Sequence, residues 1–506
     1  MGSSPVQLAP RRAPPHAMAM HVARAVARLR LVNPAGDPAA ERAAMLWAGA
    51  AATVLLTALA VFVHPLVAVA LLAMAVAAPF VLRSVDLAFA AVLAVITLLP
   101  FGAIPLGIGF NPTYLDLAMG VLYLIWAVRL ATREQSTIRI PPLGAGAAGF
   151  IGLMLVAFVA GLAHGTPSKN QIRTFGELVL GAGLFFIIAN LIIDRASLRR
   201  VFLMLVALGT AAAAIGLALY VLPDGLEMRI LGLLRAADYP TGPGIIRYIN
   251  DDPSRLQRAT GTAIDPNSFG GLLAVLGALL APQVVSRRPI VPRPLALAMV
   301  GLMGIAVLAT VSRGSMLALG VGLIVVGLAR DRRMLFAALV GGALLLAVAR
   351  FTPWTSAYVT NLTDGFLAQD RSTQMRLGEY KDAIELITRY PLLGVGFGGV
   401  RDIDLYRGVS SLYLIIAETM GLVGLAAFVL FMAAATLRLL LAWWMMPPDG
   451  LRAVVLGCIA ALAVAAVGGV FDHYFFTYPH AFALLWLILG LGMGAVRLAE
   501  EDRVAT

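Results

Sequence analysis

Apolar runs of roughly twenty residues recur along the chain, parted by short polar connections. They fall at about 44–63, 65–82, 85–101, 113–130, 143–163, 175–193 and 199–222, then 268–285, 294–311, 314–330 and 334–350, and finally 411–441, 450–471 and 479–498. Each run is long enough to cross a bilayer core as a helix. A segment in hydrocarbon has no water to take up its N–H and C=O groups, so it satisfies them internally as a helix or within a closed barrel. The runs are too long and too evenly apolar for the alternating strands of a barrel. The pattern predicts an all-α polytopic membrane protein with about fourteen transmembrane helices. It also divides the chain: a basic segment 1–42, helices over 43–222, a loop 223–267, helices over 268–350, a large loop 351–410, helices over 411–498 and a tail 499–506.

Composition agrees. Of 506 residues 60% are hydrophobic and only 13% charged, where a soluble chain carries about a quarter. The net charge of +11 brings nucleic acid to mind, but no basic face or stacking platform appears, and no nucleic-acid partner is expected. In a membrane protein positive charge first reports orientation, because Arg and Lys collect in cytoplasmic loops. With the N-terminus inside, the inner connections carry Arg83, Arg129, Arg133, Arg139, Arg195, Arg199, Arg200, Arg287, Arg288, Arg293, Arg330, Arg332, Arg333, Arg438, Arg452 and Arg497. The outer connections at His64, Phe101–Pro112 and Phe471–His480 carry none, and the one at 164–174 holds Lys169 and Arg173. The bias places both termini in the cytoplasm and both long loops outside, so the working surface is expected to face the periplasm or cell exterior.

No cleavable signal peptide is visible, since the first apolar run begins near Ala43; the first span is expected to serve as a retained insertion signal. His21–Val32 reads either as a short basic amphipathic helix on the inner leaflet or as part of a disordered leader. The single cysteine, Cys458, lies inside an apolar run, which excludes intrachain disulfides and cysteine-based metal sites.

Exterior arginines run against the charge bias and therefore carry information. Arg313 stands in TVSRGSML between two spans with almost no loop. Alone, it would read as a snorkelling anchor. Arg258 and Arg376 lie in the two outer loops that bracket this hairpin, and several guanidiniums at one surface call for an anion. Arg matches phosphate bidentately and is weakly hydrated, which suits a pyrophosphate at the lipid–water boundary.

The stretches RATGTAIDPNSFGGLLA (258–274), SRGSMLAL (312–319), RLGEYKDAIELITRYPLLGVGFGG (376–399) and SSLYLIIAETMGLVGLAAF (410–428) follow in order, with a large outer loop between the second and third. Together they resemble the superfamily of O-antigen ligases and Wzy-like polysaccharide polymerases, over roughly 255–495. The resemblance implies a GT-C-like helical bundle with an outer cavity under a large, partly helical periplasmic loop. It implies transfer with inversion, without metal or other cofactor, from a glycan on undecaprenyl pyrophosphate held by Arg313 and Arg376, with Arg258 as a further candidate. The location it implies is the bacterial inner membrane. The partners would be that donor, a glycan acceptor, the bilayer, and a chain-length regulator or flippase.

One departure stands out. Ligases of the family place a His–Asn-type pair eleven residues before a Gly-x-x-Gly; here that count from Gly421 lands on Ser410, followed by Ser411. A serine hydroxyl is too weak a base to replace histidine. His480, Glu379 and Glu418 are the candidate bases, with His473 beside them. For the two histidines ordinary interfacial packing beside Tyr474, Phe475 and Tyr478 is the competing reading. For Glu418, two turns into a span, it is an ion pair that fixes helix packing.

Two patterns carry less. Gly394, Gly396 and Gly399 fit G-x-G-x-x-G, but without a βαβ context a loop re-entering the membrane after Pro391 explains them better. Asp402 and Asp404 form D-x-D, read either as a metal pair or as solvated loop charges. The expected function is polymerisation of lipid-linked repeat units into O-antigen, exopolysaccharide or capsule. Its alternatives are ligation of finished glycan to lipid A core or another acceptor, and a transporter of lipid or polysaccharide. Against transport, no repeat between halves and no paired broken helices with midplane charges are evident.

Overall fold

A computed structural model describes residues 84–105, 111–133, 135, 137–330, 371–398 and 409–505. The expected spans at 44–63, 65–82 and 334–350, the segment His21–Val32, and Asp402 and Asp404 lie outside the described residues. By its contacts the chain forms two units. One comprises 1–80 and 124–138, and its described part is the second half of one helix and the turn after it. The other, 81–123 and 139–506, holds all that follows.

In chain order the helices are α1 (Val85–Leu98), α2 (Tyr114–Ala131), α3 (Gly144–Gly161), α4 (Lys169–Leu191), α5 (Arg195–Tyr220), α6 (Asp224–Gly232), α7 (Pro266–Leu280), α8 (Pro282–Val285), α9 (Arg293–Ala309), α10 (Arg313–Arg330), α11 (Arg371–Arg389), α12 (Leu412–Met445), α13 (Gly450–Phe471), α14 (Tyr474–Thr477) and α15 (Pro479–Ala505). The chain is an all-α polytopic membrane protein: among the described residues eight helices are long and apolar enough to cross a bilayer, and α1, α9 and α10 are shorter apolar ones. A helix underlies each expected span within the described residues. The run 85–101 yields only the 14 residues of α1, about 21 Å of helix, because Pro100 follows and cannot continue it.

Helix starts follow local chemistry. Ser168 and Gln171 close a capping box on α4, and Asp194 and Ser197 one on α5. Asp265 caps α7, where Pro266 occupies a first-turn position that needs no N–H. Burial then sorts the helices. The apolar window of α15 is 94% buried against 33% for α3, so α15 is central and α3 peripheral. α7, α10 and α13 pack closely: a Cβ at Gly322 would lie 2.6 Å from Val464 Cγ2 and 2.8 Å from Ala278 Cβ. Trp486 of α15 gathers Phe150 (5.8 Å), Phe431 (5.2 Å) and Phe185 (6.1 Å), fastening α3, α12 and α4 to the central helix.

The loop 223–267 is folded rather than open. It contains α6, three 3-10 turns and a short antiparallel ribbon, β1 (Arg247–Tyr248) with β2 (Gln257–Arg258), in which Arg247 pairs with Arg258. The described part of the second loop is mainly α11, an amphipathic helix.

α12 departs from expectation. It is broken at Gly421, whose φ of 69° and ψ of −177° belong to a region only glycine occupies readily. The segment after Pro391 fits the break as a short run of turns, with Gly394 and Gly396 at φ 68° and 77°. Val395 N–H donates to Glu418 O (2.8 Å), Gly396 N–H to Thr419 O (3.0 Å) and Leu422 N–H to Pro391 O (2.7 Å). The freed helix groups are thus re-satisfied by protein, as irregular backbone at membrane depth requires. No paired broken helices with midplane charges are evident in the sequence; Gly421, three residues after Glu418, breaks this one helix.

Candidate active site

Arg313 owes its position to a tight turn. Thr310 ends α9 with its hydroxyl on Val307 O (2.7 Å), Val311 takes φ 52°, and Ser312 donates its N–H back to Thr310 Oγ1 (3.2 Å). Ser312 and Ser315 hydroxyls meet at 3.0 Å across the first turn of α10, so Arg313 begins that helix on a fixed backbone.

Arg258, on β2, is locked. Its Nε donates to Thr310 O (2.9 Å) and its Nη2 to Asn267 Oδ1 (2.7 Å). Asn267 passes the connection on, donating Nδ2–H to Asp472 Oδ2 (3.0 Å). Asp472 ends α13 and also accepts from His473 N–H through Oδ1 (2.8 Å). Burial draws the Arg258 guanidinium down to about 10; Asp265 and Asp472 oppose that fall, and the charges of Arg376 and Arg313 add to it. It remains a cation at neutral pH. The carboxyl of Asp265 moves the other way, raised by burial first and by Asp472 next.

Arg376 comes from the second turn of α11 and, among the described residues, makes no hydrogen bond or ion pair. Its helix is pinned one turn on. Glu379 Oε2 accepts from Ser410 N–H (2.9 Å), and Tyr380 Oη lies 3.2 Å from Ser410 O and 3.3 Å from Val470 O.

These residues meet. Arg258, Arg313, Arg376, Glu379, Ser410 and Asp472 line one cavity of about 590 Å³, within the size range of ligand sites. Asp251 also lines it, but is exposed and lies 3.6 Å from Arg247. Setting that pair aside, three guanidiniums face two carboxylates, and each carboxylate already accepts a backbone N–H. Three guanidiniums gathered in one cavity suit an anion.

The other sequence candidates are elsewhere. His480, at the start of α15, is buried with Nε2 3.2 Å from Ser268 Oγ and its ring against Phe101 (4.9 Å). It lines a second cavity, of about 620 Å³. Glu418 is buried beside the break in α12 and lines neither cavity. His473 packs its Nδ1 against Thr477 Oγ1 (2.5 Å). Two members of the first cavity were not singled out in the sequence. Asn267 stood in the D-P-N stretch and Asp472 beside His473, each one residue from something noticed.

Comparison with known proteins gives three findings. None of the curated proteins matches the chain. A solved chain described under "Structural coordination of polymerization and crosslinking by a peptidoglycan synthase complex" is 19% identical, with 71% of this chain and 98% of that one covered and a TM-score of 0.36. Residues 298–429 match the model of the O-antigen ligase family. That stretch carries Arg313, Arg376, Glu379 and Ser410, while Arg258 and Asp472 flank it. Residues 298–429 are therefore similar to the O-antigen ligase family, which supports the likeness of the motifs to the superfamily of O-antigen ligases and Wzy-like polymerases.

Proposed function

We propose that this protein polymerises glycan repeat units carried on a lipid pyrophosphate, at the outer face of the inner membrane. The observation that carries the reading is the convergence of Arg258, Arg313 and Arg376, from three separate elements, on one cavity. The family match supports a membrane enzyme of glycan assembly.

In this reading Arg313 and Arg376 hold the donor's pyrophosphate, and Arg258 fixes the wall behind it through Asn267 and Asp472. An acceptor hydroxyl attacks the anomeric carbon on the face opposite the pyrophosphate. A carbon–oxygen bond forms there as the bond from that carbon to the phosphate oxygen breaks, with inversion. The charge that develops on the departing lipid pyrophosphate falls on guanidiniums already in place, usually the largest catalytic contribution. The donor's phosphate bond supplies the energy.

The hydroxyl's proton goes to Glu379. Its Oε2 is engaged by the backbone N–H of Ser410, the residue standing where a ligase has histidine, and its Oε1 accepts no hydrogen bond among the described residues. Asp472 spends one bond on each oxygen and acts as a positioning residue. In this reading a carboxylate from α11, bonded to the residue at the histidine's sequence position, takes over the imidazole's role.

The family match favours a second reading, in which the finished glycan passes to a different acceptor such as lipid A core. Two experiments separate the readings. Purified protein in nanodiscs receives lipid-linked repeat units and no lipid A. A ladder of increasing length is expected; single units left unchanged would overturn polymerisation. A deletion strain that still makes long polymer, stranded on its lipid carrier, would establish ligation. Orientation is tested separately: Ser254→Cys should react with an impermeant thiol reagent in spheroplasts and Arg288→Cys should not, and the reverse result would place the cavity inside.

A further inference from the structure

The second cavity is built as carefully as the first and from opposite chemistry. Its lining includes Phe101, Asn170, Arg173, Glu177, Asp238 and His480. Arg173 is already committed, with Nη1 3.3 Å from Glu177 Oε1 and 3.5 Å from Asp116 Oδ2. Glu177 is 2% exposed and also accepts from Thr113 Oγ1 (2.5 Å). Asn111 Nδ2 donates to Asp238 Oδ2 at 2.6 Å. Backbone bonds from Ala103 N–H to Ala237 O (2.9 Å) and from Phe101 N–H to Tyr239 Oη (3.2 Å) stitch the folded outer loop onto this wall. The cavity is therefore formed before any ligand arrives.

A phosphate has no place here. One guanidinium, shared between two carboxylates, would leave a bound anion facing Glu177 and Asp238. What the lining offers is dense hydrogen bonding without a spare positive charge: carboxylates and carboxamides that accept from and donate to neutral hydroxyls. Phe101 adds an aromatic face, half-buried and steadied edge-on by Tyr478 (5.3 Å) and His480 (4.9 Å). A negative ring face beside carboxylates and amides suits a pyranose, whose C–H edges pack on the ring while its hydroxyls bond around it.

The two cavities also share a wall. The single stretch Asp472–His480 contributes Asp472 and Tyr474 to the first cavity and Thr477, Pro479 and His480 to the second. A transferase needs a donor phosphate site and a hydroxyl-bearing acceptor in reach of each other. We infer that the second cavity is a subsite for the neutral, hydroxyl-rich glycan of the acceptor, an assignment that rests on the transferase reading of the first.

Binding to the full chain in nanodiscs, free of sugar-headed detergents, tests it. The probes are inorganic pyrophosphate and the free oligosaccharide released by mild acid from the source cells' own lipid-linked repeat units. Asn170 is exposed at the mouth, so Asn170→Trp narrows the cavity without touching the core. It should weaken oligosaccharide binding at least tenfold and leave pyrophosphate binding unchanged. Glu177→Gln should act in the same direction, and Asn170→Trp decides alone if that buried variant fails to fold. Arg376→Ala should do the reverse, weakening pyrophosphate and sparing oligosaccharide. The inference is overturned if the oligosaccharide does not bind the native protein, binds Asn170→Trp as well as native, or is lost only with Arg376→Ala. Pyrophosphate binding that survives Arg313→Ala and Arg376→Ala would instead sink the donor reading, with the glycan subsite still standing on its own variants.

Discussion

Two cavities of nearly equal size, about 590 and 620 Å³, sit on either side of one short stretch of chain and differ in how their charges are spent. In the first, Arg376 makes no bond among the described residues, and both carboxylates take a backbone N–H rather than a guanidinium. In the second, Arg173 divides itself between Glu177 and Asp116, and Asp238 is held by Asn111. Volume would not tell the two apart. A site holding a guanidinium that makes no bond among the described residues suits an anion, whereas a site whose one guanidinium is shared between carboxylates suits a neutral, hydrogen-bonding ligand.

The hardest blow to that contrast is to remove the first cavity's guanidiniums. Arg313→Ala and Arg376→Ala should each lower transfer by about 10²–10³, on the scale of losing one donor to a developing oxyanion. The double variant should fall below detection. Lysine at either position should rescue poorly, because an ammonium cannot form the bidentate fork. Polymer ladders from membranes carrying each variant measure this, and a normal ladder from both alanine variants would end the donor-site reading.

Glu379→Gln should come close to the arginine variants in effect. Loss of a general base costs roughly 10²–10⁴ in rate. The amide keeps the Ser410 N–H bond, so α11 should stay docked and pyrophosphate affinity should not change. Turnover and pyrophosphate binding measured on the same preparation separate the two roles. A fall in both together would make Glu379 a structural clamp, and Asp472→Asn would then be the variant to examine for the proton's destination.

Asn267→Ala should come third. It removes the bridge between Arg258 and Asp472 and leaves a guanidinium and a carboxylate each one partner short. Such a loss costs about 1–3 kcal/mol, which predicts about a tenfold to hundredfold fall in turnover with little change in the acceptor's KM. A change confined to acceptor KM would place Asn267 on the wrong side of the wall.

The three arginines were picked out in the sequence because Arg313 interrupts a hydrophobic hairpin and Arg258 and Arg376 lie in the two long loops that bracket it. The spans were legible because hydropathy averaged over twenty residues survives local detail. That averaging hid the break at Gly421, where one residue's φ decides and its apolar neighbours look continuous. The second cavity was illegible because its groups come from residues 101–113, 173–177, 238 and 480, which only the fold brings together. Glu177 carried the one available signal, a carboxylate inside an apolar helix, and the sequence reading applied that rule only to Glu418. His480 was noticed for its chemistry, and the fold set it in the other cavity's wall.

His480 supplies the smallest and most discriminating test. Its Nε2 meets Ser268 Oγ at 3.2 Å, two residues beyond the first position of α7, and Ser268 lines neither cavity. Ser268→Ala leaves the imidazole with one buried nitrogen unpartnered, at a cost of about 1–3 kcal/mol in stability, read as a lowered Tm. If His480 is part of the dividing wall, turnover should hold within about threefold, the acceptor's KM should rise by a similar factor as the ring loosens beside Phe101, and the pH profile of turnover should keep its shape. A catalytic imidazole would answer differently. Freed from its partner it would alter the acid limb of the pH profile and lower turnover by far more than KM. That result would return the proton to His480, move the chemistry to the far side of the wall, and reverse which of the two cavities holds the reacting bond.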